Sequence, residues 1–264
     1  MRPSPDDRLV IDEKVARIHD AADRKIARTS STTSPDFSRV QFVHSFQELA
    51  ETPFAGKINA LCWQRTLPGD FAEIVACLGS SHAPMITLDP AMLRALPLSA
   101  AGQVARECML ADFSLLSERE LAPVLNCIYA YPHDDRSGPI ATDVFSFHVD
   151  SAPCETDTWL CTYHGQASEG LCNEHAQRLI DIPSIRTALL ASYDGADDAG
   201  FQIFLSENAY DLHYAALAQT RPYPFGIGSL WRIATAHPGC PVPPSIHRAP
   251  PTMPGDSPRL LLIS

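Results

Sequence analysis

Three side chains with the chemistry of metal ligands are spaced so that a β-sheet can bring them together. His148 and Asp150 lie two residues apart in a β-prone segment. Their side chains would share one face, because strand side chains alternate between faces. His247, far along the chain, could complete a set of two histidines and one carboxylate, which holds Fe(II) and leaves coordination positions open. Arg259 begins an apolar C-terminal segment, where its guanidinium could bind a dicarboxylate through paired hydrogen bonds.

This combination of H-x-D, a distal histidine and an arginine on the last strand resembles the Fe(II)/2-oxoglutarate-dependent oxygenases. The resemblance covers about residues 120–264 and extends to a group of small proteins that share the segments F-H-V-D, C-T-Y-H-G and H-R-x-P-P with a following R-L-L-L. It implies an α+β or mainly β fold, with a double-stranded β-helix core (jelly-roll, cupin-like) that N-terminal helices buttress. It also implies Fe(II) on His148, Asp150 and His247, 2-oxoglutarate on Arg259, and O2 as a further cosubstrate.

The activity that the resemblance implies is oxidation of a C–H bond in a small molecule, with succinate and CO2 as co-products. The outcome would be hydroxylation, desaturation or ring closure, and an amino acid or amino-acid-derived metabolite is the preferred substrate class. The alternative is a cupin-like metal-binding protein that is non-catalytic or carries a different metal. A hydrolase that uses Cys161 or Cys172 is disfavoured, because no glycine-rich nucleophile turn lies near either cysteine.

The distal metal ligand has two rivals in the sequence. His237 is followed by an arginine, Arg248, at nearly the same spacing that separates His247 from Arg259. His213 also precedes a predicted strand. His247 is preferred, because Arg259 begins a convincing strand whereas Arg248 lies beside an Ala-Pro-Pro segment.

One position departs from the family pattern. Many relatives have a hydroxyl residue two positions after the arginine that binds the cosubstrate, and this chain has Leu261 there. The missing hydrogen bond would then come from another strand. The candidates are four polar side chains, Tyr129, Tyr131, Thr162 and Asn126. For the two tyrosines an alternative interpretation stays open, in which each is a core residue whose hydroxyl forms an ordinary hydrogen bond and does not assist Arg259.

Two further arginines are candidates for binding the carboxylate of a substrate. Arg248 follows the distal histidine, and Arg232 follows a tryptophan on a predicted core strand. Either could form a charge-assisted fork with a carboxylate.

The composition excludes some classes of partner. The net charge is −11 and no block of lysine and arginine is present, which disfavours nucleic acid and anionic membrane surfaces. The first residues lack the apolar core of a signal peptide, and no apolar run reaches the ~20 residues of a membrane span. We therefore expect a cytoplasmic protein with a small-molecule substrate. The sequence does not indicate the oligomeric state.

The eight cysteines are scattered, which predicts reduced side chains rather than a disulfide framework. One group has zinc-like spacing: Cys161, His164, Cys172 and His175. Residues three apart on a strand point to opposite faces, which is unfavourable for chelation. Core cysteines with surface histidines are the preferred interpretation, and a structural zinc site is the alternative.

The predicted organisation is an N-terminal helical extension and linker over residues 1–38 and a single catalytic domain over residues 39–264. Helices are expected over residues 8–28, 45–52, 69–79, 99–120 and 174–191, the last broken at Pro183. Strands are expected over residues 59–63, 124–131, 142–150, 158–163, 201–205, 228–234 and 259–263. Residues 238–258 contain eight prolines and are expected to form an ordered loop that holds His247 on a short strand.

Overall fold

The computed structural model describes residues 34–132, 138–251 and 255–264. The chain divides into two units, Met1–Ser34 and Pro35–Ser264, and the described helices and strands belong to the second. The helix predicted over residues 8–28 lies outside the described residues. The described α-helices are α1 (Phe46–Glu51), α2 (Phe71–Leu78), α3 (Pro90–Ala95), α4 (Ala100–Ser117), α5 (Pro183–Tyr193) and α6 (Ala199–Glu207). None of them is long and apolar enough to cross a membrane.

The described strands form two largely antiparallel sheets. The strands are β1 (Val40–Val43), β2 (Ala60–Trp63), β3 (Met85–Leu88), β4 (Val124–Ile128), β5 (Phe147–His148), β6 (Asp157–His164), β7 (Glu169–Leu171), β8 (Ala176–Arg178), β9 (His213–Ala216), β10 (Tyr223–Pro224), β11 (Leu230–Ala234), β12 (Ile246–Arg248) and β13 (Arg259–Ile263). The seven-stranded sheet has the order β1-β2-β11-β6-β13-β4-β3, and the six-stranded sheet has the order β10-β7-β12-β5-β9-β8. The fold is therefore a mixed α+β fold with extensive antiparallel sheet.

Polar N-cap residues mark the start of α1, α2 and α4. The side chains of Ser45, Asp70 and Ser99 each accept a hydrogen bond from a backbone N–H in the first turn of α1, α2 and α4. Such caps satisfy donors that a helix start otherwise leaves unpaired. The helices predicted over residues 45–52, 69–79 and 99–120 are confirmed.

The last strand, β13, lies in the middle of the seven-stranded sheet between β4 and β6. Leu260 and Leu262 are fully buried in the cluster that also contains Met109 of α4, on the helical side of the sheet. Leu261 packs into a second cluster with Trp231 on the opposite side, where the six-stranded sheet contributes. The strand predicted over residues 259–263 is confirmed, and apolar side chains on both of its faces are buried.

The strand predicted over residues 201–205 is wrong, because this segment lies inside α6. The carboxylate of Asp198 caps the helix by accepting hydrogen bonds from the N–H groups of Gly200 and Phe201 at 2.8 and 3.3 Å. Phe201 and Leu205 are both buried. Residues four apart share a face on either a strand or a helix, so the periodicity of this short apolar run did not discriminate between the two.

The strand predicted over residues 142–150 is much shorter, since β5 covers only two residues, Phe147–His148. The carboxylate of Asp143 accepts hydrogen bonds from the N–H groups of Phe145 and Ser146 at 3.1 and 3.2 Å. An aspartate that binds the backbone two and three residues onward forms a turn, which delays strand pairing until Phe147.

The helix predicted over residues 174–191 is also incorrect in its first half and at Pro183. A 3₁₀ turn, Asn173–His175, leads into β8, and a second 3₁₀ turn, Leu179–Asp181, precedes α5. Pro183 is the first residue of α5 rather than a break. Proline suits this position, because the N–H that it lacks would have no partner in the first turn.

The spacing of apolar residues in the sequence predicts a buried stripe on α4 that consists of Val104, Cys108, Met109, Phe113 and Leu116, and this stripe is only partly buried. Val104 is 44% exposed, whereas Ala105, Met109 and Leu116 are fully buried. The buried face of the helix consists of Gly102, Ala105, Met109, Leu110, Asp112 and Leu116.

Candidate metal centre

His148, Asp150 and His247 meet at two neighbouring strands of the six-stranded sheet. β5 and β12 are antiparallel, His148 is in register with His247, and their ring centroids lie 4.6 Å apart. Asp150 follows β5, and its carboxylate oxygens lie 3.9 Å from Nε2 of His148 and 3.6 Å from Nε2 of His247. One ligand atom from each residue lies within 4.8 Å of the other two. The three predicted ligands are therefore close enough to bind one metal ion.

Backbone carbonyls hold both histidine rings in the orientation that a metal ligand needs. Nδ1 of His148 lies 2.8 Å from the carbonyl oxygen of Ser146, and Nδ1 of His247 lies 3.4 Å from that of Ser245. A carbonyl can only accept, so each Nδ1 donates to its carbonyl and each Nε2 is left facing Asp150, where it can serve as the metal-binding nitrogen. Metal-binding histidines usually have such a partner on the second nitrogen.

The electrostatics favour the neutral, metal-binding form of the distal histidine. Burial lowers the pKa of His247, against the opposing effect of the Asp150 carboxylate, and His148 lowers it further. On the carboxylate side, the hydroxyl of Thr158 donates a hydrogen bond to Oδ2 of Asp150. The ligand set therefore combines the imidazoles of His148 and His247 with one oriented carboxylate.

The three residues open into a cavity of about 210 Å³ between the two sheets, and Arg259 lines the same cavity. Its wall is mainly apolar. Besides those four residues the lining consists of Met85, Asn126, Ile128, Tyr131, Val144, Thr158, Leu160, Ser168, Ala249, Leu261 and Ile263. A largely apolar pocket with a few convergent polar groups is the usual form of a small-molecule site.

Arg259 is a buried cation whose hydrogen-bond partners among the described residues are all neutral. The residue is 1% exposed. Its guanidinium donates to the hydroxyl of Tyr131 at 2.6 Å, to Thr162 at 3.3 Å and to Ser168 at 3.0 Å. Among the described residues no carboxylate forms an ion pair with it, and its Nε has no partner. Burial lowers the pKa of Arg259, with Tyr131 opposing.

A buried guanidinium without a counter-ion is costly, and the cost is relieved when an anion binds beside it. The arginine and the three candidate ligands therefore fit a metal ion together with an anionic molecule in one cavity.

The structure shows which of the four candidate partners contact Arg259. Tyr131 and Thr162 both bind its guanidinium. Tyr129 does not, because its hydroxyl donates to the backbone carbonyl of Gly79 at 2.7 Å. Asn126 lines the cavity and accepts a hydrogen bond from Thr87.

Ser168 is a partner of Arg259 that sequence analysis missed. It lies just before β7 and is buried. Nothing in the local pattern distinguishes it from an ordinary loop serine.

Arg248 and Arg232 are not among the residues that line the cavity, and each is already paired. Arg248 donates to Glu169 at 2.9 and 2.7 Å. Arg232 donates to Asp157 at 2.7 Å and to carbonyls at the end of α1. Their predicted role in binding a substrate carboxylate is therefore not supported by their positions, since both guanidiniums already have carboxylate partners.

Of the two rival histidines, one lies apart from the ligand set and one lies beside it. Nδ1 of His237 contacts the carbonyl of Pro238, and His237 does not belong to the three-residue group. His213 is paired in register with His148 on the neighbouring strand β9, with ring centroids 5.8 Å apart. Residues directly opposite on antiparallel strands share a face, so His213 faces the same side as the ligands.

His213 lines a second cavity, of about 220 Å³, that shares Val144, His148 and Asp150 with the first. The remaining described lining is Thr142, Asp143, Val149, Ser151, Ala209 and Leu212. Two of the candidate ligands, His148 and Asp150, therefore line both a cavity that contains Arg259 and a more polar one that contains His213.

The four residues with zinc-like spacing are not brought together. Cys161 is buried in the core, where Arg65 donates to its sulfur at 3.7 Å, and His164 contacts Ser257 at 2.9 Å. Cys172 and His175 do lie together, but their third neighbour is Asp36. The spacing thus identified two members of a group whose third member is remote in sequence.

No protein-family model, curated protein or solved structure matches this chain.

Proposed function

We propose that this protein is a non-haem Fe(II)/2-oxoglutarate-dependent oxygenase that oxidises a C–H bond of a small molecule. The observation that carries the proposal is the shared cavity. It contains two histidines and one carboxylate with mutually close ligand atoms, together with a buried arginine that lacks a counter-ion among the described residues. This donor set is typical of Fe(II) sites with open coordination positions. A dicarboxylate that bound the metal at one end would place its other carboxylate against the arginine.

The strand order supports a double-stranded β-helix as the architecture. Eight strands, β4 to β7 and β10 to β13, pair in a nested way: β4 with β13, β5 with β12, β6 with β11 and β7 with β10. The pairs alternate between the two sheets. A jelly roll has eight strands divided between two sheets in this manner. Helices α1, α2 and α4 contribute to the apolar cluster on the outer side of the seven-stranded sheet, as buttressing helices would.

In this proposal His148, Asp150 and His247 hold Fe(II), and Arg259 binds the distal carboxylate of 2-oxoglutarate. Fe(II) and 2-oxoglutarate together supply the oxidant for an unactivated C–H bond, with O2 consumed and succinate and CO2 as co-products. Tyr131 orients the Arg259 guanidinium, and the apolar wall excludes water from the cavity. The contribution of the chain is positioning and solvent exclusion.

The second cavity is the proposed place of the substrate, because His148 and Asp150 line it and Arg259 does not. Its lining includes the polar side chains of Asp143, Ser151 and His213, which would suit a small molecule with polar groups. The expectation of an amino acid depends on the size of the protein and on two spare arginines, Arg232 and Arg248, and the existing ion pairs of these arginines remove the second support. Hydroxylation, desaturation and ring closure stay open as outcomes.

In the alternative, a metal-binding protein without turnover, the same three residues hold the metal but Arg259 does not bind 2-oxoglutarate. A first experiment therefore measures the free energy of unfolding of metal-free protein without oxygen, with Fe(II) alone and with Fe(II) plus 2-oxoglutarate. A ligand at 100 times its Kd stabilises the folded state by about 2.7 kcal/mol. We expect 2-oxoglutarate to add such an increment only in the presence of metal.

Amino-acid substitutions distinguish stabilisation by the metal from stabilisation by 2-oxoglutarate. His148→Ala, Asp150→Ala or His247→Ala should remove both increments, and Arg259→Gln should remove only the increment from 2-oxoglutarate. His237→Ala is the matched control and should keep both. Stabilisation by metal with no effect of 2-oxoglutarate, in wild type and Arg259→Gln alike, would favour the metal-binding alternative. A screen of small metabolites for stimulated succinate release in air then identifies the substrate.

A further inference from the structure

A second group of metal-ligand side chains lies apart from the centre described above. One ligand atom from each of Asp36, Cys172 and His175 lies within 4.8 Å of the other two. Nδ1 of His175 is 3.7 Å from Oδ2 of Asp36, and the thiol of Cys172 donates to the backbone carbonyl of Asp36 at 3.2 Å. The three residues share no member with the His148 group.

Local structure explains why the two later residues face the same way. Cys172 immediately precedes the 3₁₀ turn Asn173–His175. Residues three apart in a 3₁₀ turn lie one above the other, so Cys172 and His175 reach the same side. The strand geometry that made this spacing unfavourable for chelation therefore does not apply here. Asp36 approaches this side from the segment that precedes β1.

We propose that Asp36, Cys172 and His175 bind a zinc-class divalent cation, with the carboxylate, the thiolate and the imidazole as ligands. Thiolate sulfur, imidazole nitrogen and carboxylate oxygen are the three protein donors that Zn²⁺ takes, and a water molecule can fill a fourth position. The proposal is independent of the oxygenase function, because the two ligand sets do not overlap.

Access and charge are both compatible with binding from solution. The side chains of His175 and Asp36 are 40% and 37% exposed, while Cys172 is buried. The nearby cation Arg39 is neutralised by Glu174, which accepts from it at 2.7 and 2.6 Å, so a metal ion would not meet an unpaired positive charge there. Burial raises the pKa of the Cys172 thiol, so the metal must displace a proton.

The surrounding hydrogen bonds indicate what the ion would stabilise. Asn173, in the same 3₁₀ turn, donates to the carbonyl of Pro244 at 3.0 Å and accepts from Asn59 at 2.8 Å. Pro244 belongs to the segment that enters β12, the strand of His247. A cation held by Asp36 and this turn would therefore stabilise the junction of β1, β7 and β12.

The test uses Co²⁺ as a spectroscopic substitute for Zn²⁺, added to the metal-free full chain. A thiolate bound to Co²⁺ gives a sulfur-to-metal charge-transfer band in the near ultraviolet, and the His148 centre contains no sulfur ligand. We expect this band in wild type and in the double variant His148→Ala/Asp150→Ala, and its removal by added Zn²⁺. If the double variant keeps the band but 2-oxoglutarate never stabilises wild type, only the oxygenase proposal fails.

Substitutions assign the band to its ligands. Cys172→Ser should abolish it, whereas Cys154→Ser, at an exposed cysteine, should leave it unchanged. Asp36→Asn and His175→Ala change partly exposed side chains, so the fold should persist. The apparent Co²⁺ affinity should fall at least about tenfold, because even the loss of a residue that only supports a metal ligand typically costs that much. Absence of the band in wild type, its persistence in Cys172→Ser, or unchanged affinity in both Asp36→Asn and His175→Ala would overturn the proposal.

Discussion

The hydroxyl of Thr158 donates a hydrogen bond to Oδ2 of Asp150, and this contact joins the two sheets at the candidate metal centre. Asp150 follows β5 of the six-stranded sheet, whereas Thr158 belongs to β6 of the seven-stranded sheet. Thr158 is buried and also contacts the hydroxyl of Thr235 at 3.2 Å. Asp150 lies beyond the end of β5, where its backbone carbonyl accepts a hydrogen bond from the N–H of Ala236, and the Thr158 hydroxyl orients its carboxylate.

Thr158→Val should therefore weaken metal binding without removing a ligand. Loss of a hydrogen bond to a metal-binding side chain typically costs 10–100-fold in affinity, and we expect about that loss here. Titration of metal-free protein with Fe(II) or Mn(II) measures it. Thr187→Val, at an exposed position on α5, is the control and should bind as wild type does. Equal affinities for the two variants would show that Thr158 does not orient the carboxylate.

Tyr131→Phe should weaken the binding of 2-oxoglutarate while leaving metal affinity unchanged. The hydroxyl of Tyr131 accepts a hydrogen bond from the Arg259 guanidinium at 2.6 Å. A hydrogen bond to a charged group contributes about 1.5–3 kcal/mol, so at least about a tenfold rise in Kd is expected. The matched control is Tyr129→Phe, since the Tyr129 hydroxyl binds Gly79 instead. A larger effect from Tyr129→Phe would contradict the assignment.

These two tyrosines also mark a limit of sequence analysis. Both lie in the segment predicted as one strand, two residues apart, where alternation places them on the same face. The strand in fact ends at Ile128. Beyond that point the backbone is irregular, so only the three-dimensional path decides that Tyr131 reaches the cavity and Tyr129 does not.

The proximity of the three candidate metal ligands to one another and to Arg259 could be predicted, because each residue is marked by local spacing or by an apolar strand. The carboxylate partners of Arg232 and Arg248 could not, because Asp157 and Glu169 lie 75 and 79 residues away in the sequence. The same holds for Asp36, which joins Cys172 and His175 from the other end of the described chain.

Residue patterns in the sequence do not predict most strands of the six-stranded sheet. Several of its strands have only two or three residues, among them β5, β7, β8 and β10. Alternation needs about four to eight residues before it can be recognised. The seven-stranded sheet contains longer strands, and there β2, β4, β6, β11 and β13 match predicted segments.

Leu262→Ala should destabilise the fold strongly, because β13 is a central strand. Leu262 is fully buried against the helical side of the sheet, and truncating such a leucine costs about 2–5 kcal/mol. Denaturant unfolding measures the difference. Val124→Ala, at a residue that is 37% exposed on the adjacent strand, should cost about 1 kcal/mol or less.

Deletion of residues 259–264 removes the whole of β13 and should prevent soluble expression. It takes away the strand that separates β4 from β6 together with three fully or largely buried leucines. A truncated protein that stayed soluble and melted near the full-length temperature would contradict the position assigned to this strand.

A buried ion pair on the helical side of the seven-stranded sheet connects Asp112 of α4 with Arg65, which follows β2. Asp112 of α4 accepts two hydrogen bonds from Arg65, each 2.7 Å long, and a third from the hydroxyl of Tyr163 on β6 at 2.8 Å. Arg65 also donates to the carbonyl of Gly228 and lies over the ring of Trp63 at 4.3 Å. All charged atoms of this group are thus paired within the interior.

Asp112→Ala should therefore leave the Arg65 guanidinium buried without its counter-ion, and breaking a buried pair in this way costs about 3–5 kcal/mol. The exposed pair Arg186–Asp197 offers a control, since Asp197→Ala should cost only about 0–1 kcal/mol. Denaturant unfolding compares the two variants. Asp112 does not line the metal cavity, so the Asp112→Ala protein should still bind metal under conditions where it is folded. Equal destabilisation by both substitutions would mean that the interior pair adds nothing beyond a surface one.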